Sequence, residues 1–320
     1  MLLDLYRAGA DTHGYKPRNI SASMLKDYLA CPLKFYFKQL LKLRDEDENT
    51  MFMDAATYGS IIHLVLENLF NPFKDKIVTG DILRNMADSN LSSLVARAID
   101  TLYYKNRYHA HLDRMPGEAR VLAEVIVKIV RRTIENDIAN APFTFIAAET
   151  GPKNSWEMAP GLNLNFTSKI DRIDLMNDGT IRFIDYKTGS DRNYVESCEN
   201  LFSPSRDLRN DAMFQLLLYC HAAAEIDGET RPIRPEIFRL RSVYVDNETR
   251  VGIGNAYSGL KTPVESYTDS DFASFRQMLS DLITEIFNPE VPFTQTSDNS
   301  NCKYCPFLQM CGRIVPEKSF

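Results

Sequence analysis

The 320-residue sequence contains no uninterrupted apolar run of about 18 residues, so nothing in it reads as a membrane-spanning helix. Its opening, Met-Leu-Leu-Asp-Leu-Tyr-Arg, sets no basic segment ahead of an apolar stretch and does not read as an export signal. No Gly-x4-Gly-Lys-Ser/Thr stretch occurs, which excludes a P-loop nucleotide motor within these residues. Internal repeats and low-complexity tracts are also missing. So is any surplus of positive charge: 37 Lys and Arg face 43 Asp and Glu, a net charge of −6. That balance gives no support for strong nonspecific attraction to polyanions. It does not rule such partners out, because Lys34, Lys38, Lys42 and Arg44 are grouped. These absences point to a cytoplasmic protein whose cysteines stay reduced. The 44% hydrophobic content suffices for one large domain or two small ones.

Residues 1–20 are polar, carry Gly14 and Pro17, and read as a loosely held lead-in. Ser21-Ala-Ser23 caps a helix through Leu29 that stops near Cys31-Pro32. An acidic run, Asp45–Glu48, reads as a solvated loop. Gly59–Phe70 has helical spacing. Residues 81–112 and 118–140 read as two more helices, the second with Val121, Val125, Ile129 and Ile134 on one broad face. Strands are expected near 143–149, 164–175 and 181–187, then a polar, flexible loop over 191–209. A helix from Asp211 to Ile226, a strand over 236–245 and a helix over 269–287 complete the pattern. The expected fold is α/β or α+β, a central mixed sheet of about four or five strands flanked by helices.

The most informative stretch lies in the middle. Phe166, Ile170 and Ile173 alternate imperfectly with polar residues, Asn177-Asp178-Gly179 supplies hairpin turn chemistry, and Ile181, Phe183 and Ile184 start a second strand. That strand ends in Asp185-Tyr186-Lys187-Thr188-Gly189. Folding the hairpin back brings Asp171 near Asp185, and two carboxylates held close call for a cation between them. Oxygen-rich sites of this kind suit Mg2+ or Mn2+. Lys187, two residues beyond Asp185, shares its strand face. Asp-x-Lys alone is common on wet strands; the apolar run before Asp185 marks a buried strand delivering charges at its end. Asp174 competes with Asp171 but should face the other side, against Arg172 or solvent. Glu149, ending another apolar strand, is a secondary acidic candidate.

Three of the six cysteines, Cys302, Cys305 and Cys311, follow the order C-x2-C-x5-C. Such spacing lets thiolates converge on one metal or cluster, with Cys31 as the best fourth ligand. Zinc and a 4Fe–4S cluster both satisfy four thiolates, and two disulfides are the remaining alternative. Cys198 falls in the polar loop, and Cys220, inside an apolar helix, reads as a buried hydrophobe. His63 and the pair Gln215 and Tyr219, one helical turn apart, are unremarkable taken singly.

Together, Gly59-x3-His63, Asp171, Asp185-Tyr186-Lys187 and Gln215-x3-Tyr219 resemble, in residue and order, the RecB-type branch of the PD-(D/E)XK nuclease superfamily. The split cysteine set is similar to its iron–sulfur subgroup, which includes the AddB-type nuclease domain. The resemblance covers about residues 21–315 and implies a restriction-endonuclease-like domain over that range. A helical insertion at about 70–140 interrupts it, and a 316–320 tail follows. It further implies a Mg2+- or Mn2+-dependent deoxyribonuclease, exonucleolytic, acting on DNA ends or single strands in recombination or repair. His63, Asp171, Asp185 and the Tyr186 carbonyl would hold the metal. Lys187 would orient the attacking water and offset developing charge, while Gln215 and Tyr219 position the strand or brace Lys187. Cys31, Cys302, Cys305 and Cys311 would carry a 4Fe–4S cluster, or zinc, pinning the C-terminal segment to the N-terminal helix. Because the sequence has no motor of its own, a helicase subunit or helicase domain is the implied partner. The chain would then be either the C-terminal piece of a longer protein or a stand-alone nuclease. The competing expectation is an inactive nuclease fold that holds DNA or a helicase.

Overall fold

The computed structural model describes residues 3–7, 18–43, 53–151, 153–159, 162–224, 231–254, 262–267 and 273–313. Helices α1 (Ala22–Ala30), α2 (Pro32–Phe35) and α3 (Ala55–Phe70) come first. Strand β1 (Lys76–Val78) and helices α4 (Gly80–Asp88), α5 (Leu91–Leu102) and α6 (Gly117–Asp137) follow. Strands β2 (Phe143–Thr150), β3 (Lys153–Ala159), β4 (Leu162–Thr167), β5 (Ile170–Met176) and β6 (Ile181–Lys187) run in close succession. The remainder supplies β7 (Tyr194–Val195), α7 (Asp211–Ala224), β8 (Ile233–Arg239), β9 (Gly252–Ile253), β10 (Thr262–Pro263) and α8 (Ala273–Phe287).

The central sheet has the order β1-β2-β5-β6-β8. Its first four strands pair antiparallel, and β6 pairs with β8 in parallel, which requires the crossover that α7 provides. This is the expected mixed sheet flanked by helices. The β5–β6 turn holds Gly179 at φ +85°, where a side chain would be strained. Ile170, Phe183 and Ile237 belong to a core shared with α1, α7 and α8. Phe143, Phe145, Ile184 and Phe238 belong to a second core with α3, α4, α5 and α6.

That second core also encloses a charged cluster. The fully buried Arg172 and Arg182 guanidinium groups lie 2.6 and 2.9 Å from the Asp137 carboxylate, and 2.7 and 2.6 Å from that of Asp174. Arg172 sits 4.0 Å from the Phe70 ring centre, so the guanidinium is sandwiched by aromatic as well as ionic partners. Burial alone would raise the Asp137 carboxyl, but the two arginines outweigh it and hold it down at about 2. Asp174 thus faces away from Asp171 and pairs with Arg172, as strand alternation requires.

Several local expectations are corrected. The helix expected over 81–112 is two helices, broken where Ser89 turns extended, and α5 stops at Leu102. Past that point the Asp100 carboxylate captures the amides of Tyr108 and Ala110 in a loop. On α6 the buried stripe is Ala119, Ala123, Ile126, Val130 and Ile134; Val121 and Val125 are exposed. Close packing through the alanines shifts the face. The strand expected over 164–175 is two: β4 pairs with β3, β5 with β2. The strand expected over 236–245 starts at Ile233 and ends at Arg239 in a tight turn. Residues 191–209 contain β7 and a 3-10 turn, with Asn193, Val195, Cys198 and Leu201 buried. The lead-in is anchored where it is described: Tyr6 is buried against Phe287, and Arg7 and Ile20 bridge to β4. Within the expected helical insertion, β1 is already an edge strand of the sheet. Gly14, Pro17, Arg44, the acidic run Asp45–Glu48, Ile226, residues 269–272 and the 316–320 tail lie outside the described residues.

Candidate active site

Helix α3 delivers His63 to the end of β6. Asp54 caps the helix, accepting from the Thr57 amide at 2.6 Å. A Cβ on Gly59 would stand 3.2 Å from Thr188 Oγ1, so glycine lets the helix pass close to the strand end. His63 Nε2 lies 3.0 Å from the Tyr186 carbonyl oxygen. Its Nδ1 lies 3.2 Å from Glu149 Oε1 and 3.4 Å from Asp171 Oδ1. Ligand atoms of His63, Glu149 and Asp171 all fall within 4.8 Å of one another.

Sheet register explains the meeting of the acids. Thr150 pairs with Ile170 and Ala148 with Arg172, which sets Glu149 opposite Asp171. Arg172 pairs with Ile184, so one step on Asp171 stands beside Asp185. Three neighbouring strands therefore contribute one carboxylate each to a single row. Glu149 adopts φ +51°, an uncommon backbone state for a residue with a side chain, and such strain gathers at functional sites. Asp171 Oδ2 accepts from the Tyr186 amide at 2.6 Å, locking β5 to β6 at this point.

Asp185 is buried and turned toward Lys187, whose Nζ lies 2.9 and 2.8 Å from its two oxygens. It stands next to the His63–Glu149–Asp171 group rather than within it. Burial, with Asp171 adding to it, pushes the Asp185 carboxyl up despite Lys187. Burial depresses the Lys187 ammonium, but Asp185 outweighs it and keeps the amine cationic. For His63, burial opposes the charge, yet Asp171 and Glu149 prevail and raise the imidazole to about 10. Glu149 also forms an ion pair with Lys169. Three carboxylates thus share three basic groups, Lys169, Lys187 and the His63 ring.

Helix α7 flanks the row. Tyr219 is buried, its hydroxyl pushed up to about 12 by burial and by Asp185 nearby. Gln215 Oε1 accepts from Lys26 Nζ of α1 at 2.7 Å, while Lys187 Nζ is directed to Asp185. Lys26 is lowered by burial and then by the charge of Lys187. An open cleft of about 570 Å³ gives access, lined by His63, Glu67, Glu149, Lys169, Lys187 and Asp191 among others.

The four cysteines picked out by spacing line one small cavity together with Lys34, Phe307, Leu308 and Arg313. Cys31 closes α1, and the Thr294 carbonyl ties the following turn to the C-terminal segment by accepting from Leu33 at 3.0 Å. Arg313 Nη1 approaches Cys302 Sγ at 3.6 Å. Cys198 and Cys220 are buried apart from this cavity.

A family model for the PD-(D/E)XK nuclease superfamily matches residues 19–312. The chain belongs to that superfamily. Its relatives include subunits of ATP-dependent helicase/deoxyribonucleases. One from Clostridium perfringens (strain SM101) is 27% identical over 183 residues, covering 54% of this chain and 15% of the relative. That of Clostridium kluyveri is 24% identical over 228 residues, covering 68% and 18%. That of Carboxydothermus hydrogenoformans is 22% identical over 365 aligned positions, covering 95% and 32%. The chain thus spans at most about a third of these relatives' length.

Glu149, a secondary candidate in the sequence, stands with His63 and Asp171, and Lys26, not a candidate there, lies beside Gln215. Glu149 had a signal, a carboxylate closing an apolar strand. Lys26 had none, because α1 and α7 meet only in the folded molecule.

Proposed function

We propose that this domain hydrolyses DNA phosphodiester bonds with Mg2+ or Mn2+ held by His63, Asp171, Asp185 and the Tyr186 carbonyl, and with Glu149 as a further ligand. The observation that carries this reading is the row of three carboxylates with an imidazole and a carbonyl at an open cleft. Its donors are mostly hard oxygens with one nitrogen, which fits these ions, Mn2+ best tolerating the imidazole. A bound dication supplies acidification of water and polarisation of the phosphate. The chain's own residues do the rest. Asp171 and Asp185 orient the site, and Lys187, kept charged by Asp185, stands ready to meet a phosphate oxygen or the attacking water. Tyr219 and the Lys26–Gln215 pair flank the acid row from α7 and α1.

The relatives' names support DNA as substrate and a helicase as partner; exonucleolytic end processing is the setting we propose. The cysteine cavity we assign to a 4Fe–4S cluster, with zinc as the alternative. Four thiols from distant segments line one small, largely apolar cavity, with Lys34 and Arg313 beside them to offset thiolate charge. Iron and acid-labile sulfide, with absorbance at roughly 400 nm lost in Cys305→Ser, are expected. A colourless zinc protein would overturn the cluster alone. For the nuclease itself, end-labelled linear DNA is incubated with Mn2+ or Mg2+. Asp185→Ala and Lys187→Ala should lose cleavage while keeping the native circular dichroism spectrum, and activity retained by both refutes the assignment.

A further inference from the structure

Beyond the cleft, the geometry points to the loop Tyr103–His111 as a single-stranded DNA clamp at its mouth. This rests on the nuclease reading and names the form of DNA that the site is fed. Leu102, the last residue of α5, lines the same cleft as His63 and Lys187, and the loop begins at the next residue. Its sequence, Tyr-Tyr-Lys-Asn-Arg-Tyr-His-Ala-His, interleaves aromatics with cations and holds no acid. Backbone-tracking cations with aromatic rings are what an unpaired strand requires, since every base has a face to stack and every nucleotide a phosphate.

The loop is built, not merely connected. Lys105, Asn106, His109 and Ala110 all have φ between +51° and +65°, with no glycine to ease it. Buried Asp100 holds that shape: its two carboxylate oxygens accept from the Tyr108 amide at 2.9 Å and the Ala110 amide at 2.8 Å, and its carbonyl accepts from Asn106 at 2.8 Å. A carboxylate spent in this way fixes a strained loop whose cations stay outside, an arrangement that marks function more than packing. Tyr104 and Tyr108, centroids 4.8 Å apart and edge to face, pack against the helical core as a foundation. Tyr103 stands edge-on to Tyr104 at 4.8 Å, half-exposed, where it can offer a ring face to a base. Exposed Arg107 lies 5.6 Å from the Tyr108 ring centre, and His109 and His111 are exposed beside it.

The test measures binding of a fluorescent oligonucleotide to the whole chain in EDTA, with single-stranded and blunt duplex probes. Tyr103→Ala should weaken single-strand binding about tenfold and duplex binding less than about twofold, with Tyr103→Phe restoring it. Arg107→Gln should flatten the log–log salt dependence for single strands by about 0.7. Lys128→Gln, on the outer face of α6, serves as the charge control and should change neither. Unchanged single-strand affinity in both loop variants, or equal loss for the duplex, overturns the clamp. Since the chelator keeps binding apart from cleavage, failure of the clamp and failure of the nuclease reading separate. A protein that cuts but ignores these substitutions loses only the clamp. One that binds through them yet never cuts loses only the catalysis.

Discussion

Strands β5 and β6 carry two charged groups, one at each side of the same sheet, and the two behave in opposite ways. Arg172, Asp174 and Arg182 point into the helical core, where two guanidinium groups meet the carboxylates of Asp137 and Asp174 at 2.6–2.9 Å. Asp171, Asp185 and Lys187 lie at the strand ends, where with Glu149 three acids meet Lys187, Lys169 and an imidazole at an open cleft. Charge closed off inside the core is structural; charge gathered beside an open cleft can meet something from outside. Residue type does not separate the two groups. Access does.

The widest contrast comes from removing one member of each. Arg182→Met leaves Asp137, Asp174 and Glu236 buried without their shared cation and should cost about 3–5 kcal/mol of stability by urea unfolding. Asp171→Asn, by contrast, should abolish cleavage while leaving the urea midpoint unchanged or raised, since it relieves repulsion with Asp185 and Glu149. A fall in stability equal to that of Arg182→Met would erase the distinction. A smaller effect is expected from acid. The folded Asp137 carboxyl is held at about 2, below its ordinary 3.8, so the unfolded chain takes up the proton first. Its stabilisation is complete above pH ~3.8 and is lost as pH falls from there through about 2, roughly 2 kcal/mol in all. A melting temperature flat across that window would contradict it. The smallest change is Gly59→Ala: a Cβ 3.2 Å from Thr188 Oγ1 should push α3 outward by a few tenths of an ångström. Mn2+ affinity, read by calorimetry, should then weaken roughly tenfold, as when a ligand's support is disturbed, with little change in unfolding.

Much of this was legible in the residues. The hairpin, its turn, the Asp171–Asp185 proximity and the Asp185–Lys187 pairing follow from strand alternation and turn chemistry, both local rules. The thiol spacing agrees with Cys31, Cys302, Cys305 and Cys311 lining one cavity. Illegible were the things that depend on which distant element arrives where. Glu149 joins the row only through the β2–β5 register, and Gln215 meets Lys26 of α1. The face of α6 is set by alanines that packing, not hydropathy, selects. The break after Thr167 leaves little mark in the sequence, because apolar and polar residues alternate, if imperfectly, through both β4 and β5, which differ in their partners.

Lys26 and Gln215 are 189 residues apart along the chain yet share one hydrogen bond beside the acid row. No contiguous fragment therefore carries the centre. A peptide reproducing Ile170–Lys187 would own both hairpin aspartates and the lysine but lack the imidazole, the strained glutamate and the crossover helix that aim them. During synthesis the bond between Lys26 and Gln215 forms only once α7 has emerged and folded back onto α1.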